Sequence, residues 1–589
     1  MIDVHEATAE APGPTPRPLP GGTPRPIPPT PVLALPETAA YRIKRRLLGP
    51  PLHTDQLQHE KLGKPTALAV FASDNLSSSA YATEEILRVL VPAIGVAAFS
   101  LVVPITTAML VVLALLILSY RETIKEYPSA GGAYIVTKDN FGLLPAQVAG
   151  VALLTDYVLT VAVSVAAGAA AVTSAASDLR PFAVPMALAF IALIAFGNLR
   201  GVKESGRVFA LPTYFFIVNM AGFLTIGITK LVMGDLPVLT RPHEGGLPFG
   251  SGIEGGLFLG ASLYVVLHAF ASGGAAVTGV EAISNGVPAF RQPEWKNARD
   301  TLVIMGSLLG VMFLGLSVLA AHLHVVPFAE GTPTVISQIG RAVYGDGGLG
   351  TMAFLSLQIG TALILILAAN TSFADFPRLA SFQAGDQFMP KQLTTRGHRL
   401  VFSNGVVALA ASAAVLVVVT GAKVDRLIPL YAIGVFTSFT MSQAGMARHH
   451  LRRRQPGWRR GLFVNGVGAV LSLVVDIVIA VTKFTHGAWV IVVLVPVMVA
   501  VLVRLNRQYE AEDRELEHEV RVAAERKVHR RHVVLVLVAR LDAAAARAMQ
   551  YARSQNPDEL RAVHVAATGP SAGSRSSWST APTAGSCSR

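Results

Sequence analysis

Long apolar segments dominate this chain and alternate with short polar stretches. Hydrophobic residues make up 52% of its 589 residues and charged residues only 15%. This balance is too apolar for a soluble protein and is typical of one that crosses a membrane many times. Since a spanning helix needs about 20 mostly apolar residues, the pattern predicts an all-α polytopic protein with twelve transmembrane helices, at residues 66–92, 97–120, 143–171, 182–198, 207–233, 255–287, 301–325, 349–374, 401–421, 427–447, 461–482 and 487–505.

Basic residues are concentrated in every second loop. Arg121 and Lys125 follow the second segment, and a cluster of arginines from Arg448 to Arg460 follows the tenth. Cytoplasmic loops carry an excess of Lys and Arg, so an even number of spans places both termini in the cytoplasm of a multi-pass plasma-membrane protein. The net charge of +12 is then explained by basic cytoplasmic loops that orient the protein in the lipid bilayer. It does not indicate nucleic-acid binding, and no nucleic-acid partner is expected.

The first segment contains residues that lipid does not tolerate. Residues 71–86 carry Asp74, Glu84 and Glu85, together with Tyr81 and the run Ser77-Ser78-Ser79. Ionisable groups at membrane depth usually face a cavity, a partner or a pathway, and irregular backbone there must line a site or be buried in protein. The stretch predicts a helix broken at the serines beside a site. For Glu84 and Glu85, a position at the lipid headgroups is the alternative.

The sixth segment repeats this pattern. Residues 268–290 contain Gly273-Gly274 and Gly279, which weaken a helix, and an acid at membrane depth, Glu281. Plain helix packing explains one glycine pair equally well. Two interrupted, acid-bearing segments five spans apart instead predict a 5+5 inverted repeat with a binding site near the membrane midplane.

Four groups of residues are candidates for that site. Asp74 and Tyr81 lie on the first segment, and Asp156 and Thr160 share a helix face at i, i+4 on the third. Thr278 and Glu281 share a face on the sixth, and Tyr431 opens the tenth. For Asp156 the alternative is a carboxyl satisfied by a neighbouring helix, and for Tyr431 it is anchoring at the membrane interface.

The oxygen-rich composition of these groups narrows the substrate. Carboxylate, hydroxyl, phenol and backbone carbonyl oxygens suit a hard cation, and oxygens that replace a hydration shell select potassium elsewhere. A buried carboxylate can also exchange a proton near neutral pH. These features predict a proton-coupled cation carrier with no catalytic residues and no cofactor. The chain has no Walker A motif, and its one cysteine, Cys587, excludes an internal disulfide framework.

Four regions are predicted along the chain. Residues 1–60 form a disordered, Pro-rich cytoplasmic extension, and residues 61–505 form the transporter domain. Residues 506–567 form a cytoplasmic helix and the opening strand–helix–strand of an α/β domain, and residues 568–589 form a disordered tail. Because that tail is rich in Ser, Ala, Gly and Thr, it is expected to supply no further strands, so the domain is predicted to be truncated.

Several motifs resemble one family of transporters. The stretch from Ser73 to Ile86 resembles the first helix of the KimA-type potassium–proton symporters of the KUP group, within the amino acid–polyamine–organocation superfamily. Similar motifs lie at Glu126–Tyr134, Thr278–Pro288, Phe373–Leu379 and Phe484–Trp489.

The resemblance implies a LeuT-type fold, alternating access, and a homodimer held partly by a cytoplasmic domain similar to universal stress proteins. It places potassium at Asp156, Thr160 and Thr278 together with Tyr81 and Tyr431, and proton coupling at Asp74 and Glu281. The family domain that binds a cyclic dinucleotide regulator is the one predicted to be truncated, so this regulation and dimerisation through that domain are not secure expectations.

Potassium–proton symport is therefore the leading hypothesis, and amino acid or polyamine transport on the same scaffold is the alternative. A substrate carboxylate needs exposed backbone N–H groups at a helix break, usually beside glycine, whereas the first break contains serines. A polyamine remains compatible with the acids. A third possibility, a membrane sensor that transports nothing, would need a complete cytoplasmic output domain. The C-terminal domain is predicted to be truncated and would not provide one.

Overall fold

The structure is a computed structural model that describes residues 46, 61–128, 132–200, 206–238, 245–252, 258–397, 401–525, 532–538 and 542–563, with the side chains of 206–208 and 519–525 left undescribed. The predicted extension at 1–60, apart from Arg46, and the predicted tail at 568–589 lie outside the described residues.

The described chain is mostly helical. Its α-helices are α1 (Lys64–Ser77), α2 (Ser79–Ile94), α3 (Ala98–Glu126), α4 (Gly132–Phe141), α5 (Leu143–Ala175), α6 (Ala183–Leu199), α7 (Gly206–Met233), α8 (Leu263–Gly273), α9 (Ala282–Asn285), α10 (Glu294–Leu323), α11 (Val335–Tyr344), α12 (Gly348–Gly385), α13 (Ser403–Thr420), α14 (Val424–Arg453), α15 (Trp458–Thr482), α16 (Trp489–Glu525) and α17 (Ala543–Ser554). Short 3-10 helices lie at Gly95–Ala97, Ser177–Phe182, Gly274–Val277, Val287–Ala289, Lys391–Leu393 and Phe484–His486. The strands are β1 (Val533–Leu537) and β2 (Glu559–Val563).

Within the described residues, eleven helical segments are long and apolar enough to cross a membrane. The first runs from Lys64 to Glu126, 63 residues, which at 1.5 Å per residue is about three times the thickness of the hydrocarbon core. It contains a turn at Gly95, whose φ is +59°. The predicted count of twelve spans, which counts this segment as two crossings, stays a prediction.

Burial separates central helices from peripheral ones. In its most apolar stretch α5 is 83% buried, against 28% for α15 and 11% for α16. The exposed side chains of α15 include Val470, Ile477 and Val481. Apolar residues at the periphery of a membrane protein face lipid, so these two helices form part of its outer wall, and α5 lies at its centre.

The two interrupted segments lie next to each other in opposite directions. The chain just before α1 pairs with the end of the sixth segment, since Leu62 N–H donates to Ala289 O at 2.7 Å and Arg291 N–H donates to Leu62 O at 3.0 Å. Lys64 adds an ion pair to Asp300 of α10 at 2.5 Å. These contacts join the start of the first segment to the end of the sixth.

The chain divides into two compact units, residues 1–503 and 504–589. In the second unit β1 and β2 pair in parallel, with Val533 opposite Glu559 and Leu537 opposite Val563. Between them, Asp542 caps α17 by accepting a hydrogen bond from Ala545 N–H at 2.8 Å. The predicted strand–helix–strand is therefore present over the described residues, while residues 564–567 of the predicted second strand lie outside them.

Helices α5 and α14 lie close together at Gly434. A Cβ atom at this position would lie 2.8 Å from Ala152 O and 3.6 Å from the Asp156 Cβ. The glycine therefore sets the spacing of the two helices beside a candidate site residue.

We predict that Gly434→Ala destabilises the protein by about 1–3 kcal/mol, because the added methyl group meets rigid backbone in a packed core. Gly222→Ala is the matched control, since nothing lies within 4 Å of a Cβ there. The measurement is the melting temperature of both variants in detergent. Equal melting temperatures would contradict this description of the contact.

Candidate functional site

The break in the first segment is present but narrow. α1 ends at Ser77 and α2 begins at Ser79, while Ser78 keeps near-helical angles, φ −61° and ψ −26°. Ser77 Oγ donates to Asp74 O at 2.7 Å, and Ser79 Oγ donates to Leu76 O at 2.7 Å. The serine hydroxyls thus occupy carbonyls of the preceding turn. For this reason the segment bends at one residue and exposes less backbone than a fully unwound break.

The break in the sixth segment is wider. α8 gives way to the 3-10 turn Gly274–Val277, Thr278 is extended, and Gly279 has φ +79°. A Cβ at Gly279 would lie 2.9 Å from Asn75 N and 3.0 Å from Asp74 Oδ2. Glycine is required here both for the positive φ and for the close approach to the first segment.

Hydroxyl groups connect the two breaks. Ser78 Oγ lies 3.0 Å from Tyr81 OH and 3.3 Å from Thr278 Oγ1. Asn75 Nδ2 donates to Thr278 O at 2.9 Å, across 203 residues of sequence. The structure therefore brings together Tyr81 and Thr278, two of the predicted site residues.

A second pair of predicted residues meets between α5 and α14. Thr160 Oγ1 donates to Tyr431 OH at 3.2 Å, and Tyr431 is only 1% exposed. Anchoring at the membrane interface is therefore the wrong explanation for this tyrosine. Tyr431 interacts electrostatically with Asp74, Tyr81 and Asp156, so the two pairs belong to one region.

Asp156 has an unsatisfied carboxylate oxygen. The residue is 9% exposed, and its buried Oδ1 has no hydrogen-bond partner among the described residues. It interacts electrostatically with two other acids, Asp74 and Glu281. Among the described residues, no neighbouring helix donates a hydrogen bond to Oδ1. The alternative of a carboxyl satisfied by a neighbouring helix therefore does not describe this oxygen.

Glu281 is held by three donors from three elements. Its Oε1 accepts a hydrogen bond from the N–H of Ala133 in the first turn of α4 at 3.1 Å. Its Oε2 accepts from Ser438 Oγ at 2.8 Å and from Tyr120 OH at 3.4 Å. Charge-assisted hydrogen bonds of this kind compensate a buried carboxylate. Glu281 therefore fixes the position of α4 as well as belonging to the acidic region.

A network on α12 was not assigned from the sequence. Arg378 donates from one guanidinium nitrogen to Asp375 Oδ1 at 3.1 Å and to Asn285 O at 3.0 Å. Asn285 Nδ2 in turn donates to Tyr157 OH at 2.8 Å. These contacts tie the end of α9 to α5 and α12. In the sequence analysis these residues appear only within or beside the Phe373–Leu379 motif, and none of them was assigned to the binding site.

A cavity of about 280 Å³ lies beside α2, and Tyr81 forms part of its wall. Its wall includes Glu84, Glu85 and Arg88 of α2 and the loop between α13 and α14. Glu84 and Glu85 are 5% and 4% exposed, so a position at the lipid headgroups is wrong for both. Glu84 accepts from Arg88 at 3.1 Å and from Val335 N–H at 2.9 Å.

Lys483 completes the charged cluster beside this cavity. It follows α15, is 5% exposed and interacts with Glu85. Burial lowers the pKa of the Lys483 ammonium from 10.5 to about 8, and the Glu85 carboxylate raises it only in part.

We predict that Lys483 makes stability depend on alkaline pH. Because the unfolded chain keeps its lysine proton to higher pH, the folded protein binds fewer protons between about pH 8 and pH 10.5. The free energy of unfolding should therefore rise with pH across that window, by no more than about 3 kcal/mol. Lys483→Met should lack this rise.

The measurement is the melting temperature of wild type and Lys483→Met in detergent from pH 7 upward. Lys423→Met is the control, because Lys423 is exposed. A difference between wild type and Lys483→Met that stays constant with pH would refute the assignment.

Comparison with known proteins covers nearly the whole chain. Residues 62–502 match the sequence profile described as "Amino acid permease", and residues 530–581 match the one described as "KimA potassium transporter C-terminal domain". The potassium transporter KimA of Bacillus subtilis (strain 168) is 40% identical over 525 residues, which cover 89% of this chain and 83% of that protein.

A more distant relative and one solved structure also match this chain. The branched-chain amino acid permease BcaP of Lactococcus lactis subsp. cremoris (strain MG1363) is 25% identical over 366 residues, covering 57% of this chain and 71% of that protein. A crystal structure of the Eremococcus coleocola manganese transporter superposes with a TM-score of 0.42 at 11% identity, covering 82% of this chain and 97% of that one. A superposition at that score supports no statement about substrate.

Proposed function

We propose a function from one established premise: this chain belongs to the amino acid permease family of the APC superfamily, as a homologue of the potassium transporter KimA. The relatives are transporters, so the chain is a multi-pass membrane transporter and not an enzyme. The proposal is that it is a secondary active potassium importer, which moves potassium together with protons by alternating access.

The unpartnered carboxylate of Asp156 is the observation that carries the proposal. An ionised carboxylate out of contact with water costs several kcal/mol unless it is paired. Asp156 Oδ1 is buried without a hydrogen-bond partner among the described residues, and the nearby acids Asp74 and Glu281 add negative charge. A cation bound there would neutralise it.

The neighbouring oxygens favour a weakly hydrated, hard cation. Tyr81, Thr160, Thr278 and Tyr431 supply hydroxyl and phenol oxygens in the same region. Oxygen ligands of this kind suit a hard cation, and oxygens that replace a hydration shell select potassium in other proteins. We therefore assign potassium to Asp156 with these four residues, in agreement with the substrate of the KimA relative.

Proton coupling is assigned to Asp74 and Glu281. Asp74 has no hydrogen bond to its carboxylate within the described residues, and it interacts with Asp375. Glu281 is bonded to three donors. Protonation of Glu281 would weaken the contact with α4, so its proton and the packing of α4 are linked. Asp74 would take up a proton with fewer rearrangements.

The contacts around the two helix breaks support alternating access. The cavity beside α2 reaches Tyr81 from one side. On the other side, Arg378 and Tyr157 hold Asn285, and Ser438 and Tyr120 hold Glu281. We propose that rocking of the first and sixth segments within a 5+5 inverted repeat opens one side while the other closes.

Orientation, location and assembly are further parts of the proposal. The basic loops favour a cytoplasmic position for both termini, and in that orientation the cavity beside α2 would open to the outside of the plasma membrane. The match of residues 530–581 to the C-terminal domain of KimA transporters favours a homodimer. Binding of a cyclic dinucleotide by this region is not part of the proposal, because the domain is predicted to be truncated.

We predict that Asp156→Asn abolishes rubidium uptake, by at least about tenfold, while the protein folds normally. The substitution keeps the shape of the side chain but removes the charge that balances the ion. The measurement is rescue of a cell that lacks potassium uptake, at low external potassium, with labelled rubidium flux into the same cells. Dissipating the proton gradient should reduce wild-type uptake.

Asp300→Asn is the matched control, because Asp300 forms only an exposed ion pair with Lys64, with both side chains 44% exposed. Its uptake should equal that of wild type. Normal rubidium flux by Asp156→Asn would refute the potassium site. Failure of wild type to rescue, together with uptake of labelled putrescine or a branched-chain amino acid, would favour the permease alternative.

A further inference from the structure

Another cavity, of about 200 Å³, lies where α3 ends and α15 begins. The last turns of α3, the start of α10, the end of α14 and the loop before α15 form its wall. The charged side chains of this wall are Arg121, Lys125, Arg299 and Arg460 together with Glu122 and Glu126. Four positive charges against two negative ones favour an anionic ligand.

The arginines of this wall are not neutralised by the acids beside them. Glu126 Oε1 already accepts from Lys125 Nζ at 3.2 Å, and its Oε2 lies 3.6 Å from His449 Nε2. The three arginines form no ion pair among the described residues. In this part of the chain, three guanidinium groups therefore share the cavity with one carboxylate that has no ion partner, that of Glu122.

Two buried nitrogen atoms of the wall also lack partners. Arg121 Nε and His450 Nε2 have no hydrogen-bond partner among the described residues, and His450 is 9% exposed. A Cβ atom at Gly461 would lie 2.5 Å from His450 Nε2, so the imidazole lies against the start of α15. Buried polar groups normally have partners. Anionic oxygens in the cavity would accept hydrogen bonds from the guanidinium and from an imidazole protonated at Nε2.

The basic side chains lie at the ends of two apolar stripes. Leu118 precedes Arg121 by one turn of α3, lines the cavity and is 38% exposed, and Val111 on the same face is 56% exposed. On α15, Val464 follows Arg460 at i+4 and also lines the cavity. Exposed apolar side chains of spanning helices face lipid, and α15 belongs to the outer wall. The cavity therefore offers apolar contacts on one side and cationic ones on the other, as a phospholipid requires.

Trp458 indicates that the cavity lies at the depth of the membrane interface. Its side chain lines the cavity, and the guanidinium groups of Arg454 and Arg459 each lie 5.6 Å from its ring centroid. Tryptophan is enriched at membrane–water interfaces. In the proposed orientation this end of α3 faces the cytoplasm, where basic pockets between transmembrane helices bind anionic headgroups.

We propose that the phosphate group of an anionic phospholipid binds in this cavity. Arg121, Arg460 and His450 hold the phosphate, since guanidinium groups bind phosphate oxygens with two parallel hydrogen bonds. The acyl chains lie along Leu118 and Val464. A soluble phosphate has the same headgroup chemistry but makes no use of the apolar side of the cavity. The proposal goes beyond potassium transport and does not depend on it.

The test removes two proposed phosphate ligands by Arg121→Gln with Arg460→Gln. Arg460→Gln alone is the milder variant if the double variant does not fold, because Arg460 is exposed. Arg448→Gln with Arg452→Gln is the matched control. It removes the same charge from exposed residues at the end of α14 that do not line the cavity.

Two quantities are measured on the full chain in detergent micelles. The first is the amount of phosphatidylglycerol that each protomer retains, read by native mass spectrometry. The second is the rise in melting temperature as phosphatidylglycerol is added, because a ligand that binds only the folded state stabilises it by mass action. Phosphatidylcholine is the lipid without net charge, and sodium phosphate and glycerol phosphate are the soluble sources of phosphate.

We expect phosphatidylglycerol to stabilise wild type and the control variant, and the other three additives to stabilise neither to that extent. The double variant should retain less phosphatidylglycerol, and its half-saturating concentration should rise at least about tenfold, since two charge-assisted hydrogen-bonding groups are lost. A purely structural role of the two arginines would shift the melting temperature without lipid but leave the phosphatidylglycerol-dependent rise unchanged.

Three results would overturn the proposal. One is an unchanged phosphatidylglycerol-dependent rise in both the double variant and Arg460→Gln. Another is an equal loss in the control variant, which would show attraction to basic charge in general. The last is equal stabilisation by sodium phosphate or glycerol phosphate, which would assign the cavity to a soluble phosphate.

Discussion

The arrangement of this membrane-spanning protein depends on how it compensates the charge of four buried carboxylates. Asp74, Asp156, Glu281 and Asp375 are 7%, 9%, 6% and 2% exposed, and each would cost several kcal/mol if it were ionised and unpaired. The protein compensates them unequally. Glu281 receives three hydrogen bonds and Asp375 receives an arginine, whereas the Asp74 carboxylate and Asp156 Oδ1 receive no hydrogen bond from the described residues. These acids without partners are the observation that supports the proposed binding of potassium and protons.

The backbone makes this arrangement possible at a few positions. Gly279 brings the sixth segment against Asn75 and Asp74, and Gly434 brings α14 against Ala152 beside Asp156. The serines of the first segment keep its bend narrow by occupying carbonyls of the preceding turn. Side-chain hydrogen bonds across the breaks, rather than continuous helix, hold the two segments together, and the proposed alternating access depends on this arrangement.

The order of the helices was accessible from the sequence because hydropathy and loop charge act locally. The predicted segments overlap the helices that the structure shows. Tyr81 and Thr278 both lie within hydrogen-bond distance of Ser78, and Thr160 contacts Tyr431, while their role as a binding site stays a prediction. The partners of Glu281 were missed, since Ser438 and Tyr120 lie 157 and 161 residues away and no local pattern joins them. Asp375 and Arg378 were missed for a related reason: an i, i+3 acid–base pair at a helix end is typical of an ordinary surface ion pair. The width of each break also depended on side-chain hydrogen bonds that a glycine or serine count does not reveal.

Anomalous diffraction from the full-length protein crystallised with rubidium tests the central claim most directly. We expect a rubidium peak in contact with Asp156 Oδ1 and bounded by the hydroxyls of Tyr81, Thr160 and Thr278, and we expect this peak to be lost in Asp156→Asn. Absence of rubidium from this position in the wild-type protein, with an amino acid or polyamine bound to Asp156 instead, would contradict it.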